Sequence, residues 1–221
     1  MDKTECIVFT GGGTGGHIYP GLAVVEALKK AYAGRIVWLG SGKDSDRRTV
    51  EAAGIEYHAI PAGKLRPSFS LENAADAFRV LAGYFASRRL LKELRPRLLF
   101  SKGGYVSVPP CRAAASLGIP VFTHESDLSM GLATRLNARV ATRVLVSYEE
   151  TARSLSPELK AKAVVVGNPI RAAIRQGEAA IGWAWIQPGA EYDAWAVFQA
   201  EGRAKAAAQA TAQAATTPSG A

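Results

Sequence analysis

Short apolar runs recur along the chain, and each is followed by a stretch whose apolar residues return every three or four positions. The runs lie near 5–10, 35–40, 56–60, 97–101, 119–123, 143–147 and 163–166, the first being Cys6-Ile7-Val8-Phe9. Their length and β-branched content predict strands. The stretches between them predict helices near 20–32, 45–53, 72–94, 107–117, 129–139 and 149–155, the first carried by Leu22, Val25 and Leu28 behind Pro20. Strand–helix alternation of this kind implies a Rossmann-like α/β fold, a parallel sheet with helices on both faces. Ligands on such sheets bind beyond the carboxyl ends of the strands. Loops at 11–17, 102–106, 124–131 and 167–171 all fall at that edge, and each is rich in glycine or polar residues.

The alternation stops near residue 175. Residues 182–198 hold Trp183, Trp185 and Trp195 without a clear period, and 203–221 form an Ala/Gln/Thr tract. The expected division is therefore a folded unit over 1–175 and a divergent, partly disordered tail over 176–221. A chain of 221 residues can bury one good-sized core. It contains no run of 18 apolar residues, so no membrane span is expected. The first strand starts almost at once, leaving no room for a signal peptide. Cys6 and Cys111 lie far apart and read as buried small apolar residues of a reduced, cytoplasmic chain.

Charge changes the picture in one region. Residues 64–112 carry ten basic and three acidic side chains, while the last 50 residues carry three and four. Such a patch suits nucleic acid, a phosphorylated substrate or anionic lipid, and charge by itself does not choose among them.

Chemistry concentrates at the predicted loops. Gly11-Gly12-Gly13-Thr14-Gly15-Gly16-His17 joins the first strand to the first helix. Glycine admits positive φ and close approach of N–H groups, and the helix N-terminus adds donors and positive potential, so the turn suits a phosphate or diphosphate. His17 places a titratable imidazole beside that anion. Gly11-x-Gly13-x-x-Gly16 also fits a dinucleotide fingerprint, but the second strand runs into Gly40-Ser41-Gly42 and the first acid is Asp44, which disfavours a nicotinamide cofactor. A second turn, Ser101-Lys102-Gly103-Gly104-Tyr105, reads as another wall of the cradle or as an ordinary tight turn. His124-Glu125-Ser126-Asp127 reads as a sugar-binding or orienting group, with Ser126 or Asp127 also able to cap the next helix. Gly167-Asn168-Pro169-Ile170-Arg171 turns an arginine back toward a phosphate or sugar. Histidines at 17, 58 and 124 have no metal-ligand spacing, and His58 reads as structural.

On the helix at 72–94, Phe78, Leu81 and Phe85 form one stripe, and Val80, Tyr84, Leu91 and Leu94 form an adjacent one. One packs on the sheet while the other faces outward beside Arg79, Arg88, Arg89 and Lys92, with Lys64 and Arg66 just before. Apolar anchors ringed by cations suit an anionic bilayer surface, and a wide core face with solvated charges fits the pattern equally.

GGGTGGHIYPGLAVVEAL, SKGGYVSVPP, HESDLSMGLATRLNARVATRVLVSYEET and VVVGNPIR, in that order, resemble the MurG family of N-acetylglucosaminyltransferases over about residues 5–175. The resemblance implies the N-terminal half of an inverting, metal-independent GT-B enzyme of peptidoglycan synthesis that needs no cofactor. The implied substrates are UDP-N-acetylglucosamine and an undecaprenyl-diphospho-N-acetylmuramyl pentapeptide. The implied location is peripheral, on the anionic cytoplasmic face of the bacterial membrane, with no nucleic-acid partner.

By the same resemblance Gly11, Gly12, Gly13, Gly103, Gly104 and Tyr105 hold the acceptor diphosphate. Thr14, Gly15, Gly16, Asp127 and Arg171 approach the donor, Asp127 standing where asparagine is common. His17 is the catalytic residue that deprotonates or aligns the acceptor hydroxyl, and Glu125 and Asn168 support the site. Phe78, Leu81, Tyr84, Arg79 and Arg88 form the membrane patch. The family's second, donor-binding domain has no counterpart after residue 175, where the text reads as a truncated or frame-shifted end. The expectation is a chain with little or no transferase activity alone. A non-catalytic membrane-surface module binding diphospho-lipids is the alternative.

Overall fold

The computed structural model describes residues 5–63 and 71–170. Arg171, the cations at 64 and 66 and the tail at 176–221 lie outside those residues. In chain order the elements are β1 (Cys6–Thr10), α1 (Gly15–Lys29), β2 (Arg35–Gly40), α2 (Asp44–Ala52), β3 (Glu56–Ala59), α3 (Leu71–Leu94), β4 (Leu98–Ser101), α4 (Val108–Ser116), β5 (Val121–Glu125), α5 (Leu132–Val140), β6 (Arg143–Val146), α6 (Glu149–Ser154), α7 (Pro157–Lys160) and β7 (Ala163–Val165). A 3-10 turn over Tyr105–Ser107 leads into α4.

All the strand pairs are parallel, in the order β3-β2-β1-β4-β5-β6-β7. The chain winds outward from β1 to β3, returns through α3, and winds the other way from β4. The reversal lies between β1 and β4, the place where ligands bind on sheets of this kind.

Alternation along β1 splits the core into two layers. Ile7 and Phe9 pack with Ile18, Leu22, Val25 and Leu28 of α1 and Val50 of α2. Cys6 and Val8 pack with Leu91 of α3, Cys111, Ala113 and Ala114 of α4 and Ala138 of α5. Both sheet faces are thus covered by helices, as the alternation predicts. Cys6 and Cys111 are free and buried, as read from the sequence.

Four details differ from the sequence reading. First, α1 begins at Gly15, not at Pro20, so His17 lies in its first turn and Pro20 inside the helix. Proline at that point forfeits one intrahelical bond, and burial of the Leu22, Val24 and Val25 face holds the helix despite it. Second, β5 runs to Glu125, because β6 pairs with it as far as Glu125↔Val146. His124 and Glu125 therefore belong to the strand and not to the loop. Third, the N-cap of α5 is Gly131, so neither Ser126 nor Asp127 caps it. Fourth, α7 is an extra turn capped by Ser156, whose Oγ accepts the Leu159 amide at 3.5 Å. Ser156-Pro157 is a recognisable helix start that the sequence reading passed over.

In α3 the outward stripe is Phe78, Leu81 and Phe85, at 72, 52 and 60 % exposure. Tyr84 is half-buried against the core layer that holds Leu91 and packs edge-on to Phe85, so it leaves the expected outward patch. Tyr84 lies only three positions beyond Leu81, yet the helical turn carries it to the sheet side. Arg79 is exposed and paired with Asp76 at 3.0 Å, and Arg88 is half-exposed. Among the described residues no helix is long and apolar enough to cross a membrane.

Candidate functional site

The two glycine turns leave adjacent strands at the sheet's reversal point. The Lys102 amide donates to the Thr10 carbonyl at 2.9 Å, which ties the start of the second turn to the end of β1. Gly13 and Gly104 have φ of +85° and +77°, in the left-handed half of backbone space that other residues rarely enter. The turns also touch. A Cβ on Gly104 would lie 2.7 Å from Cδ2 of His17 and 2.8 Å from the Gly12 carbonyl oxygen, and one on Gly13 would lie 2.5 Å from the Tyr105 ring. Glycine at these places lets one loop seat on the other, with the His17 imidazole between them.

Each turn is braced from outside. Asp46 of α2 accepts the Gly13 amide at 2.8 Å and the Ser41 hydroxyl at 2.6 Å. Lys43 Nζ donates to the Gly13 carbonyl at 2.8 Å, and the Tyr57 hydroxyl donates to the Ser41 carbonyl. Trp38 Nε1 donates to the Gly11 carbonyl at 3.0 Å. In the second turn the Gly103 amide donates to Ser101 Oγ at 3.1 Å, and Ser107 Oγ donates to the Gly104 carbonyl at 2.7 Å. Asn137 of α5 donates to both serine hydroxyls, at 3.1 and 2.7 Å.

The amides of Gly13 and Gly103, expected to face an anion, are thus engaged within the protein. Thr14, Gly15 and Gly16 are exposed at the α1 N-terminus, and the Thr14 side chain makes no capping bond there. Helix geometry leaves the first amides of α1 directed outward.

His17 is half-buried, and Nδ1 has no hydrogen bond of good geometry. Burial lowers its pKa below the usual 6.5, and the Lys102 charge lowers it further. The Lys102 carbonyl and the Glu125 and Asp127 carboxylates oppose this more weakly. At neutral pH the ring is uncharged and able to accept a proton.

Lys102 was not singled out from the sequence, although it stands in the quoted Ser101-Lys102-Gly103-Gly104 string. It is 2 % exposed. Burial pushes its ammonium down to about 8, while Glu125 and Asp127 pull upward. A lysine directly after an apolar run and before a glycine pair was the available signal. Asp46, within Gly42-Lys43-Asp44-Ser45-Asp46, was also missed; an acid opening the helix after β2 was its only trace.

Beside the turns, Glu125 builds the 126–131 loop. Its Oε1 accepts the Ser126 and Asp127 amides at 2.9 and 3.1 Å, and its Oε2 accepts the Gly131 amide at 3.0 Å. His124 is wholly buried, its pKa pushed down to about 3 by that burial, with Nε2 at 3.1 Å from the Gly167 carbonyl. Ser126 Oγ donates to Asn168 Oδ1 at 2.9 Å, so the Gly167-Asn168 turn docks on the end of β5. Asp127 is exposed. His58 pairs with Glu56 in β3, away from these loops. Gly11–His17, Gly103–Tyr105, Glu125, Asp127 and Asn168 therefore gather at one sheet edge.

A seven-stranded parallel sheet with helices on both faces, an open helix N-terminus and a histidine at its reversal point make this a Rossmann-like α/β fold. Residues 7–146 match the glycosyltransferase family 28 N-terminal domain, and the chain belongs to that family. A Treponema denticola UDP-N-acetylglucosamine–N-acetylmuramyl-(pentapeptide) pyrophosphoryl-undecaprenol N-acetylglucosamine transferase is 53 % identical over 78 % of this chain and 46 % of its own. A protein of the same name from Clostridium botulinum is 43 % identical over 77 % and 47 %. The crystal structure of Acinetobacter baumannii MurG overlays 76 % of this chain on 46 % of its own, with a TM-score of 0.61 at 27 % identity. A UDP-GlcNAc 2-epimerase from Neisseria meningitidis bound to UDP-GlcNAc shares the fold, with a TM-score of 0.52 at 14 % identity over 83 % of this chain and 54 % of its own. The chain spans about half the length of the curated relatives it matches.

Proposed function

We propose that this chain is the acceptor-binding half of a MurG-type transferase that moves N-acetylglucosamine from UDP-N-acetylglucosamine to a lipid-linked N-acetylmuramyl pentapeptide. The observation that carries the reading is the neutral His17 ring between two touching glycine turns at the sheet's reversal point. The acceptor diphosphate lies across Gly11–Gly13 and Gly103–Tyr105. The α1 N-terminus at Thr14–Gly16 serves the donor, with Asp127 nearby and Arg171 beyond the described residues. His17 takes the proton of the acceptor hydroxyl as that oxygen attacks the anomeric carbon. UDP leaves from the opposite face, which inverts the centre. Glu125 and Asn168 support the site by shaping the loops around Asp127.

One nitrogen-15 NMR titration of the 221-residue chain tests both binding and protonation. Inorganic pyrophosphate and UDP-N-acetylglucosamine should move the Gly11–Gly16 and Gly103–Tyr105 amides, and NAD should move neither. The His17 ring should titrate below 6.5. Unmoved glycine amides, or a His17 pKa above 6.5, would contradict the reading.

The exposed stripe of α3 supports membrane attachment from the same molecule. Phe78, Leu81 and Phe85 stand beside Arg79, Arg88 and Arg89, and a bilayer would bury the first three against lipid. Replacing all three by serine should abolish sedimentation with phosphatidylcholine–phosphatidylglycerol vesicles, at about 1.5 kcal/mol or more for each side chain. The melting temperature should hold, because those groups are already exposed. Tyr84→Ser should do the reverse, lowering stability while vesicle binding persists. Vesicle binding that survives the triple change would remove the patch from the lipid.

A further inference from the structure

Among the described residues the buried lysine of the second turn has no counter-ion in contact with it. Among the described residues Lys102 Nζ makes no hydrogen bond or ion pair. The Glu125 carboxylate, whose charge acts on the ammonium, is already engaged, since both its oxygens accept backbone amides. Asp127 is exposed and acts on the ammonium only through space. A buried cation without a bonded partner is strongly unfavourable, and a fold keeps one where something else completes it.

The surroundings say what that is. The Lys102 charge acts on His17 of α1, on His124 and Glu125 of β5 and on Asp127 of the loop after it. Geometry sets the residue against both turns: it opens the second one, its amide donates to the Thr10 carbonyl at 2.9 Å, and a Cβ on Gly11 of the first would lie 3.3 Å from its own Cβ. His17 Nδ1 is buried there without a bonded partner, and so is Thr123 Oγ1, one strand over from Ser101 in register. The Gly13 and Gly103 amides are already taken by Asp46 and Ser101, so these two backbone donors are not free for an anion.

We propose that Lys102 is the fixed cation of the cradle, its ammonium neutralising a diphosphate held between the two glycine turns. The assignment rests on the diphosphate reading of that site and adds to it the residue that supplies the charge. Two consequences follow from physics. The anion is held best while Lys102 is protonated, so affinity falls as pH rises through about 8, and binding in that window takes up a proton. Removing the charge relieves a buried, unpaired ion, so the unliganded protein gains stability while it loses its ligand.

Titration calorimetry of inorganic pyrophosphate into the 221-residue chain, in two buffers of different ionisation enthalpy, tests this. Lys102→Met should weaken binding at neutral pH by about tenfold or more, abolish the extra proton uptake and leave the melting temperature equal or higher. Lys102→Arg should keep the affinity and lose the pH step, because guanidinium does not deprotonate there. Titration of pyrophosphate itself is common to all variants and cancels. If Lys102→Met binds like the wild type while Gly104→Ala does not, the cradle stands and Lys102 is not its cation. If neither change weakens binding, the anion sits on the basic surface and both readings fall. No binding by the wild type overturns both as well.

Discussion

Replacing Trp38 by alanine is expected to cost about 3–5 kcal/mol of stability and to loosen the first glycine turn in the same step. Trp38 is the largest fully buried side chain, central to the layer under α1. Its ring stacks on Phe9 with centroids 6.0 Å apart. The helix comes close because Gly21 has no side chain; a Cβ there would lie 2.5 Å from the indole. Surrounding structure relaxes only partly into the space an alanine leaves, so a cavity adds to the lost burial. The indole Nε1 also holds the Gly11 carbonyl, linking core packing to loop position. Trp38→Phe keeps most of the apolar area and loses that bond, so about 1–2 kcal/mol is expected. Urea denaturation followed by circular dichroism gives both values, since Trp183, Trp185 and Trp195 confuse fluorescence. A Trp38→Ala loss under about 1 kcal/mol would show that the layer repacks and that this account of the core is wrong.

Gly104→Ala is expected to abolish pyrophosphate binding, by about a hundredfold or more, at a modest cost in fold stability of about 1–3 kcal/mol. At φ +77° and ψ 157° its backbone lies where only glycine rests without strain. The added methyl would also push into His17 and the Gly12 carbonyl, so the two turns must part. A matched control separates strain from contact. Gly118 has φ +70°, and a Cβ there would meet nothing within 4 Å. Gly118→Ala should therefore cost about 1 kcal/mol of strain and leave binding intact. Equal binding by both variants in calorimetry would mean that contact between the turns is irrelevant to the ligand.

Sequence reading reached the strands well because each is a short apolar run bounded by glycine or polar residues. It stopped β5 two residues early, since His124 and Glu125 look like loop chemistry. In the fold, pairing with β6 holds both in the strand, while Glu125 accepts the loop amides and His124 Nε2 meets the Gly167 carbonyl. For α1 the proline was the stronger local signal, and packing of the helix on the sheet overrode it. On α3 both stripes were visible, but which one faced out depended on α4 and the sheet, elements distant in sequence.

Local order determined the class of this protein. Alternating runs with period two and period 3.6, and glycine turns placed after apolar strands, dictate a parallel sheet with its ligand edge at those turns. That information is short-range, written within a dozen residues of each element. What only the tertiary structure decided is which turns meet: the return through α3 sets β4 beside β1, and so brings Gly104 onto His17. Asp46 gripping Gly13 from 33 positions away, and Lys102 buried at the start of the second turn, follow from the same adjacency. Long-range pairing is set by the summed burial of two core layers, and no local stretch of sequence carries that sum.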